Sequence, residues 1–266
     1  MTQKGFTVLE LLVVIIILLI MFLTLVSTLS QAKISAEEFI CRTNLFKHYM
    51  ASEIYSLDNN YRYPSPYNNL YKEGVLPGET NIYCRWHNEN YNLESFPEFR
   101  GSFWPYLNNN KILICPVFKK NASKYGTNHF KHSDSIPITV QYSYSINGTL
   151  KNKIKGKYVG IKQTQIKSSP SKTFLWSEEN ICRLTESNGN YINNYILDDN
   201  VLNILEIKVI TDVFGSFGSF HDTSVSQIPE GNKREVYKSG SVNAVMIDGS
   251  LISVSPLDSL TYRGKI

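Results

Sequence analysis

The chain has 266 residues, of which 42% are apolar, and its 27 Lys and Arg against 23 Asp and Glu give a formal net charge of +4. This length accommodates an N-terminal apolar segment and one domain of ordinary size, or two small ones. The abundance of Tyr, Asn and Ser favours a β-containing exported domain over a disordered chain. So small a positive charge does not by itself indicate a nucleic-acid partner.

The first element is an apolar run from Phe6 to Leu29. No charged residue occurs between Leu11 and Ser30, and twenty helical residues at ~1.5 Å each span about 30 Å, the thickness of a bilayer core. Glu10 lies inside this run, where a carboxylate costs ~2.5 kcal/mol or more if it reaches the membrane centre. Glu10 therefore either lies near the headgroups or has a partner.

The segment Lys4-Gly5-Phe6-Thr7-Val8-Leu9-Glu10 resembles the leader of type IV prepilins and type II secretion pseudopilins. The resemblance implies that a prepilin peptidase cuts after Gly5 and N-methylates Phe6. It also implies that Glu10 pairs with the cationic N-terminus of a neighbouring subunit during assembly. Two alternatives remain open: an ordinary secretory signal cleaved within residues 27–32, and a plain single-pass anchor.

The resemblance also implies a domain organisation for the whole chain. It implies a leader at 1–5, a transmembrane helix at 6–30, an amphipathic continuation at 31–57 and an exported globular domain at 58–266. The expected fold class is α+β and pilin-like, with the long N-terminal helix packed on a mainly antiparallel sheet. We expect a single-pass protein of the bacterial inner membrane, with a cytoplasmic N-terminus and a periplasmic domain that reaches the exterior if a fibre forms.

Apolar residues at helical spacing continue beyond the membrane segment, and no Pro or Gly interrupts them before Pro64. We predict that this stripe is the face of the helix that packs on the sheet. Its members are Ala36, Phe39, Ile40, Phe46, Tyr49, Met50, Ile54 and Leu57.

Scattered blocks downstream resemble a large pseudopilin-like group named for an H-X9-DG signature near its C-terminus. The blocks surround Cys41, Pro64, Cys115 and Glu178, and the signature corresponds to His221 with Asp248-Gly249. The group places nine residues between His and Asp-Gly, whereas this chain has 26, at 222–247. The polar stretch 222–240 is therefore interpreted as an insertion.

Four cysteines occur, with no C-x-x-C pair, at Cys41, Cys84, Cys115 and Cys182. An oxidising exported compartment favours disulfides, and four cysteines allow three connectivities. The resemblance favours Cys41–Cys115, because both residues lie in blocks that match the group and a bond from helix to strand is geometrically reasonable. Free buried thiols are the alternative.

Two surface patterns leave a binding role open. Twelve aromatic residues lie among the turns of 61–106, and they either stack on sugars or pack the segment onto the domain. Lys151, Lys153, Lys155 and Lys157 alternate, so in a single strand they share one face. That face either binds a polyanion or protects a sheet edge.

No motif of catalysis, cofactor binding or metal binding stands out, and we predict a protein that is not an enzyme and has neither a cofactor nor a metal. We expect strands at 138–146, 157–166, 173–176 and 241–254, and a short one at 111–116. Asp248-Gly249 is expected to form the last hairpin turn. An anchored enzyme that uses His221 and Asp248 is the weaker hypothesis.

The sequence thus predicts a pseudopilin-like subunit of a type II secretion or type IV pilus-like fibre. Its expected partners are prepilin peptidase, other pilin or pseudopilin subunits, the inner membrane, and polysaccharide or secreted cargo, but not nucleic acid. The alternative function is a membrane-tethered exported module that binds polysaccharide or DNA.

Overall fold

The structure is a computed structural model of the full chain. It describes residues 5, 7–73, 85–125, 137–179, 183–187, 190–194, 200–202, 217, 221, 240–255 and 258–262. The chain forms two compact units, Met1–Phe39 and Ile40–Ile266. The boundaries predicted at 5, 30 and 57 remain predictions.

Helix α1, Val8–Asp58, is the longest element. It begins with a capping box, because the Thr7 backbone N–H donates to the Glu10 carboxylate at 2.8 Å and the Glu10 N–H donates to the Thr7 hydroxyl at 3.3 Å. By length and composition α1 could cross a membrane, and its apolar window is not buried by other described residues. The predicted long apolar helix is confirmed.

The second half of α1 buries a different face from the one predicted. Most of the predicted apolar stripe is exposed: Phe46, Met50, Ile54 and Leu57 are 44–66% exposed. The opposite face is buried instead, and it consists of Cys41, Asn44, Leu45, His48, Ala51, Ser52, Tyr55 and Ser56. The prediction was wrong because polar side chains can be buried when their hydrogen bonds are satisfied within the fold.

Two of these polar residues show how the hydrogen bonds are made. The Asn44 amide donates to the Ile114 carbonyl at 3.2 Å. The Trp176 indole N–H donates to the Ser52 hydroxyl at 2.9 Å, and that hydroxyl donates to the His48 carbonyl. The buried face therefore attaches α1 to the sheet by directional bonds as well as by apolar packing.

A mixed five-stranded sheet packs against this face. Its strands are β1 (Tyr144–Asn147), β4 (Phe174–Glu178), β7 (Val201–Leu202), β8 (Val242–Met246) and β9 (Leu251–Val254). Their order is β7-β1-β4-β8-β9, and only the β1–β7 pair is parallel. The predicted α+β class with a mainly antiparallel sheet is confirmed.

Two separate hairpins complete the described strands, β2 (Lys151–Ile154) with β3 (Lys157–Gly160), and β5 (Arg183–Ser187) with β6 (Asn190–Asn194). The four alternating lysines do not lie on a single strand, because the chain turns at Lys155-Gly156, where both φ angles are positive. Lys153 is paired with Tyr158 and Ile154 with Lys157, so Lys157 lies on the face opposite to Lys151 and Lys153.

Three short helices flank the sheet: α2 (Trp104–Leu107), α3 (Pro116–Tyr125) and α4 (Ser259–Tyr262). The strand predicted at 111–116 is wrong. A 3-10 turn, Asn110–Leu113, occupies this segment because the Asn109 side chain accepts a hydrogen bond from the Lys111 N–H at 2.8 Å. Pro116 then begins α3, a position where its missing N–H costs nothing.

The sheet separates two apolar clusters. The larger cluster lies on the α1 side and includes Trp86, Phe103, Trp104 and Trp176. The smaller cluster includes Phe174, Phe217, Val242 and Met246. Most of the described aromatic residues of 61–106 thus pack the segment onto the domain, while Tyr61 is 60% exposed.

His48 makes the stability of this packing depend on pH. Its ring lies 5.0 Å from both Tyr144 and Trp176, and its Nδ1 must donate to the Asn44 carbonyl, 2.8 Å away. Burial lowers the pKa of His48 from 6.5 to about 4, since a buried imidazolium lacks solvation. The neutral ring is therefore fully compatible with folding above pH 6.5, and stability is lost as the pH falls from 6.5 towards 4.

We predict that the full chain in detergent loses up to about 3 kcal/mol of unfolding free energy through His48 between pH 7 and pH 4. His48→Gln retains a donor for Asn44 but cannot be protonated. Denaturant unfolding of both proteins at the two pH values measures the difference. Equal pH dependence in wild type and His48→Gln would contradict the assignment.

Candidate functional site

Four side chains with metal-binding or redox chemistry meet where α1 crosses the sheet. Cys41 lies on α1, Cys115 immediately precedes α3, Glu178 ends β4, and His221 is held near the start of β8 by a 3.0 Å bond from its N–H to the Ser241 carbonyl. Their ligand atoms all lie within 4.8 Å of one another. We call Cys41, Cys115, Glu178 and His221 the Cys–Glu–His cluster.

Within the cluster, Cys41 and Cys115 form a disulfide with a Cα–Cα distance of 5.0 Å. This is the pairing that the family resemblance implied. The bond joins residues 74 apart in sequence and attaches α1 to the segment that enters α3. Both cysteines are fully buried. Cys84 and Cys182 lie outside the described residues.

Glu178 and His221 form the other half of the cluster. His221 Nε2 lies 2.8 Å from Glu178 Oε2 and 3.5 Å from Cys115 Sγ. Glu178 Oε2 also accepts a hydrogen bond from the Asn243 N–H at 3.3 Å. A buried carboxylate requires such donors, because burying an unpaired charge is expensive.

The Glu178 carboxylate is enclosed, and only part of its hydrogen-bonding capacity is satisfied by the described residues. Glu178 is fully buried, and its Oε1 has no hydrogen-bond partner among the described residues. Burial raises the pKa of the nearby Tyr144 phenol, and the Glu178 carboxylate adds to the effect. The Tyr144 hydroxyl donates to the Cys41 carbonyl at 3.4 Å, so Tyr144 lies beside the cluster where the cluster meets α1.

The two parts of the H-X9-DG signature have different environments. The His221 side chain is 5% exposed and lies in the cluster, whereas Asp248 is exposed and accepts hydrogen bonds from the Ser250 N–H at 3.0 Å and the Ser250 hydroxyl at 2.6 Å. These bonds lower the pKa of Asp248, with the hydroxyl bond contributing most. The described contacts therefore give no support to an enzyme in which His221 and Asp248 act as a pair.

Asp248 and Gly249 serve as turn residues, as predicted, but the turn type differs. Among the described residues of this loop only Gly249 has a positive φ, +82°, and its N–H donates to the Met246 carbonyl at 3.0 Å. This is the geometry of a three-residue hairpin loop closed by a glycine. A Cβ at Gly249 would lie 2.8 Å from the Tyr49 ring, so the turn also fits tightly against α1.

At the N-terminus, Gly5 is exposed and Phe6 lies outside the described residues. Glu10 is bound by its own chain, because both the backbone N–H and the hydroxyl of Thr7 donate to Glu10 Oε2 at 2.8 Å. The carboxylate thus has a local role, the start of α1, beside the intersubunit role that the resemblance implies. Cleavage, methylation and assembly remain predictions.

The β2–β3 hairpin carries a small cationic and aromatic patch. The Tyr67 and Tyr158 rings are 4.8 Å apart, and Lys151 Nζ lies 4.8 Å from the Tyr67 ring and 2.8 Å from its hydroxyl. Lys153 Nζ lies 5.6 Å from the Tyr158 ring. The ammonium groups therefore already contact the rings, by cation–π attraction.

Sequence reasoning missed the cluster as a unit. It picked out Cys41, Cys115 and His221 separately and placed Glu178 in a family-like strand. The contact between Cys115 and His221 spans 106 residues, and no local spacing rule joins positions so far apart. The available signal was that the family-like blocks contain Cys, Glu and His, the residue types that bind transition metals.

Comparison of this chain with family models, curated proteins and solved structures found no match.

We predict that His221→Ala destabilises the full chain by about 3 kcal/mol, because it removes a donor from a buried carboxylate. The double variant Glu178→Gln/His221→Ala should recover part of this loss, since the uncompensated charge is gone. Denaturant unfolding of the two single variants and the double variant gives the coupling energy. An additive double variant would show that the two side chains do not interact.

Proposed function

We propose that this protein is a membrane-anchored pseudopilin-like subunit that assembles through helix α1 into a type II secretion or type IV pilus-like fibre. In this proposal, prepilin peptidase cleaves after Gly5 and methylates Phe6. The N-terminal part of α1 anchors the chain in the inner membrane before assembly. The globular domain lies on the periplasmic side and presents a surface to secreted cargo or polysaccharide.

One observation carries the proposal: the second half of α1 has an apolar stripe that the described residues of its own domain leave exposed. We define the outer stripe as Phe46, Met50, Ile54 and Leu57, each 44–66% exposed. Burying the remaining surface of each such side chain is favourable by roughly 1 kcal/mol. A row of exposed apolar side chains on a helix face indicates an interaction site.

The occupant we propose for the outer stripe is α1 of other subunits. The stripe belongs to the helix that is apolar enough to cross a membrane, so a neighbouring helix of the same kind offers a matching apolar face. Ridges of side chains spaced three and four residues apart allow such helices to pack together.

Glu10 fits the same proposal. Its carboxylate has a local donor in Thr7, which reduces the cost of the charge in the unassembled chain. During assembly we propose that the methylated amino group of a neighbouring subunit becomes its partner. An opposite charge in low dielectric offsets much of the desolvation cost of the carboxylate.

A second candidate, the tethered module that binds polysaccharide or DNA, has one supporting observation: the patch of Lys151, Lys153, Tyr67 and Tyr158. Neighbouring aromatic rings with adjacent lysines resemble surfaces that bind sugars or polyanions. The patch is small, and the Lys151 ammonium group is occupied by the Tyr67 and Tyr158 rings, which a ligand would have to displace. The assembly function is therefore better supported.

We predict that Ile54→Glu reduces incorporation into assemblies at least about tenfold, because a charge in the outer stripe must be desolvated when helices pack. Incorporation is measured by sedimentation of filaments from a bacterial host that supplies prepilin peptidase and the assembly machinery.

Ile154→Glu is the matched control, since Ile154 is also about half exposed, 44% against 50%, but lies on β2. Both variants should retain the wild-type circular dichroism and unfolding midpoint. If Ile54→Glu assembles as well as Ile154→Glu, the outer stripe is not an assembly surface.

A further inference from the structure

The Cys–Glu–His cluster has the composition of a metal site as well as of a disulfide with a neighbouring ion pair. It offers two sulfurs, one imidazole nitrogen and one carboxylate oxygen, all within 4.8 Å of one another. The ligand atoms around a tetrahedral zinc ion, with bonds of about 2.0–2.3 Å, lie about 3.3–3.8 Å apart. Small side-chain movements therefore separate the observed arrangement from a coordination shell.

We propose that the reduced form of this cluster binds one Zn²⁺ ion, with Cys41, Cys115, Glu178 and His221 as ligands. The disulfide is the oxidised alternative of the same site. The proposal goes beyond the assembly function and does not depend on it.

The ligand set favours zinc over other common divalent ions. Two thiolates exclude magnesium and calcium, which prefer oxygen ligands, and four ligands of mixed sulfur, nitrogen and oxygen type suit the tetrahedral preference of zinc. Glu178 supplies the carboxylate oxygen: its Oε2 lies 2.8 Å from His221 Nε2, and its buried Oε1 lacks a hydrogen-bond partner among the described residues.

Conversion of the disulfide form into the metal-bound form takes two steps, reduction and metal binding. A dithiol reductant gives two electrons and two protons to the Cys41–Cys115 disulfide, and the reductant itself becomes a disulfide. The two new thiols then lose two protons to solvent as their sulfurs bind Zn²⁺. His221 binds through the lone pair of Nε2, which requires its remaining ring proton to be on Nδ1.

A bound cation would compensate the negative charge that forms when the two thiols lose their protons. Two thiolates beside the Glu178 carboxylate would place three negative charges in an enclosed space, which is unfavourable without compensation. A divalent ion reduces that charge to one. The ion would also hold together the same segments as the disulfide, so the chain would be cross-linked in both redox states.

The test uses the full chain in detergent with Cys84→Ser and Cys182→Ser, so that Cys41 and Cys115 are the remaining thiols. Co²⁺ is the probe, because its absorption reports thiolate ligands and tetrahedral geometry. After anaerobic reduction we expect one Co²⁺ per chain, displaced by Zn²⁺, and none in the oxidised chain.

Variants identify the other two ligands. Glu178→Gln and His221→Ala should each weaken Co²⁺ binding by about tenfold or more, and His221→Ala should also change the visible spectrum. Asp248→Asn is the matched control, because it neutralises an exposed carboxylate outside the cluster and should leave binding unchanged.

Circular dichroism of the same samples records folding. If the reduced chain unfolds, Zn²⁺ should restore the folded spectrum. The proposal is overturned if the reduced chain neither binds the ion nor refolds with it, or if binding is unaffected by His221→Ala.

Discussion

The structure depends on one helix whose two faces are used differently. In the second half of α1, the face made of Cys41, Leu45, His48 and Ser52 is buried against the sheet, and the face made of Phe46, Met50, Ile54 and Leu57 is not. The buried face is the less apolar of the two. It attaches to the domain through a disulfide, through hydrogen bonds such as Trp176 to Ser52, and through aromatic packing around a neutral imidazole. Because these contacts fix the rotation of α1 about its axis, they also determine which side chains remain exposed.

This division explains which parts of the structure the sequence could predict. The apolar run was predictable because a span of bilayer length leaves a strong local pattern, and the expectation of an α+β class came from the family resemblance. The buried face of α1 was not, because apolar periodicity identifies the most hydrophobic stripe and assigns it to the core. Here the core is formed by small, polar and aromatic side chains whose hydrogen bonds come from distant segments, as Asn44 shows by its bond to Ile114. Periodicity carries no information about such partners.

The Cys–Glu–His cluster illustrates the same limit for the candidate site. The family resemblance implied the Cys41–Cys115 pair and drew attention to His221, but the residue types of the H-X9-DG signature directed attention to Asp248 as its partner, although the spacing in this chain differs. The structure places His221 beside Glu178 and Cys115, and leaves Asp248 in a turn with Ser250. The signature residues are therefore related through the fold: His221 lies against the buried face of α1 near Cys41, and Gly249 lies against Tyr49 on the same helix.

The central claim is that the uncovered face of α1 faces another copy of the same helix. The most direct measurement places a photo-crosslinking amino acid at Leu57, which is 66% exposed, in cells that supply the assembly machinery. The same amino acid at Ser253, exposed on β9, serves as the reference. Our account predicts a crosslinked dimer of this chain, identified by mass spectrometry of the linked peptides, from position 57 and little or none from position 253. Equal yields at the two positions, or no dimer from position 57, would contradict it.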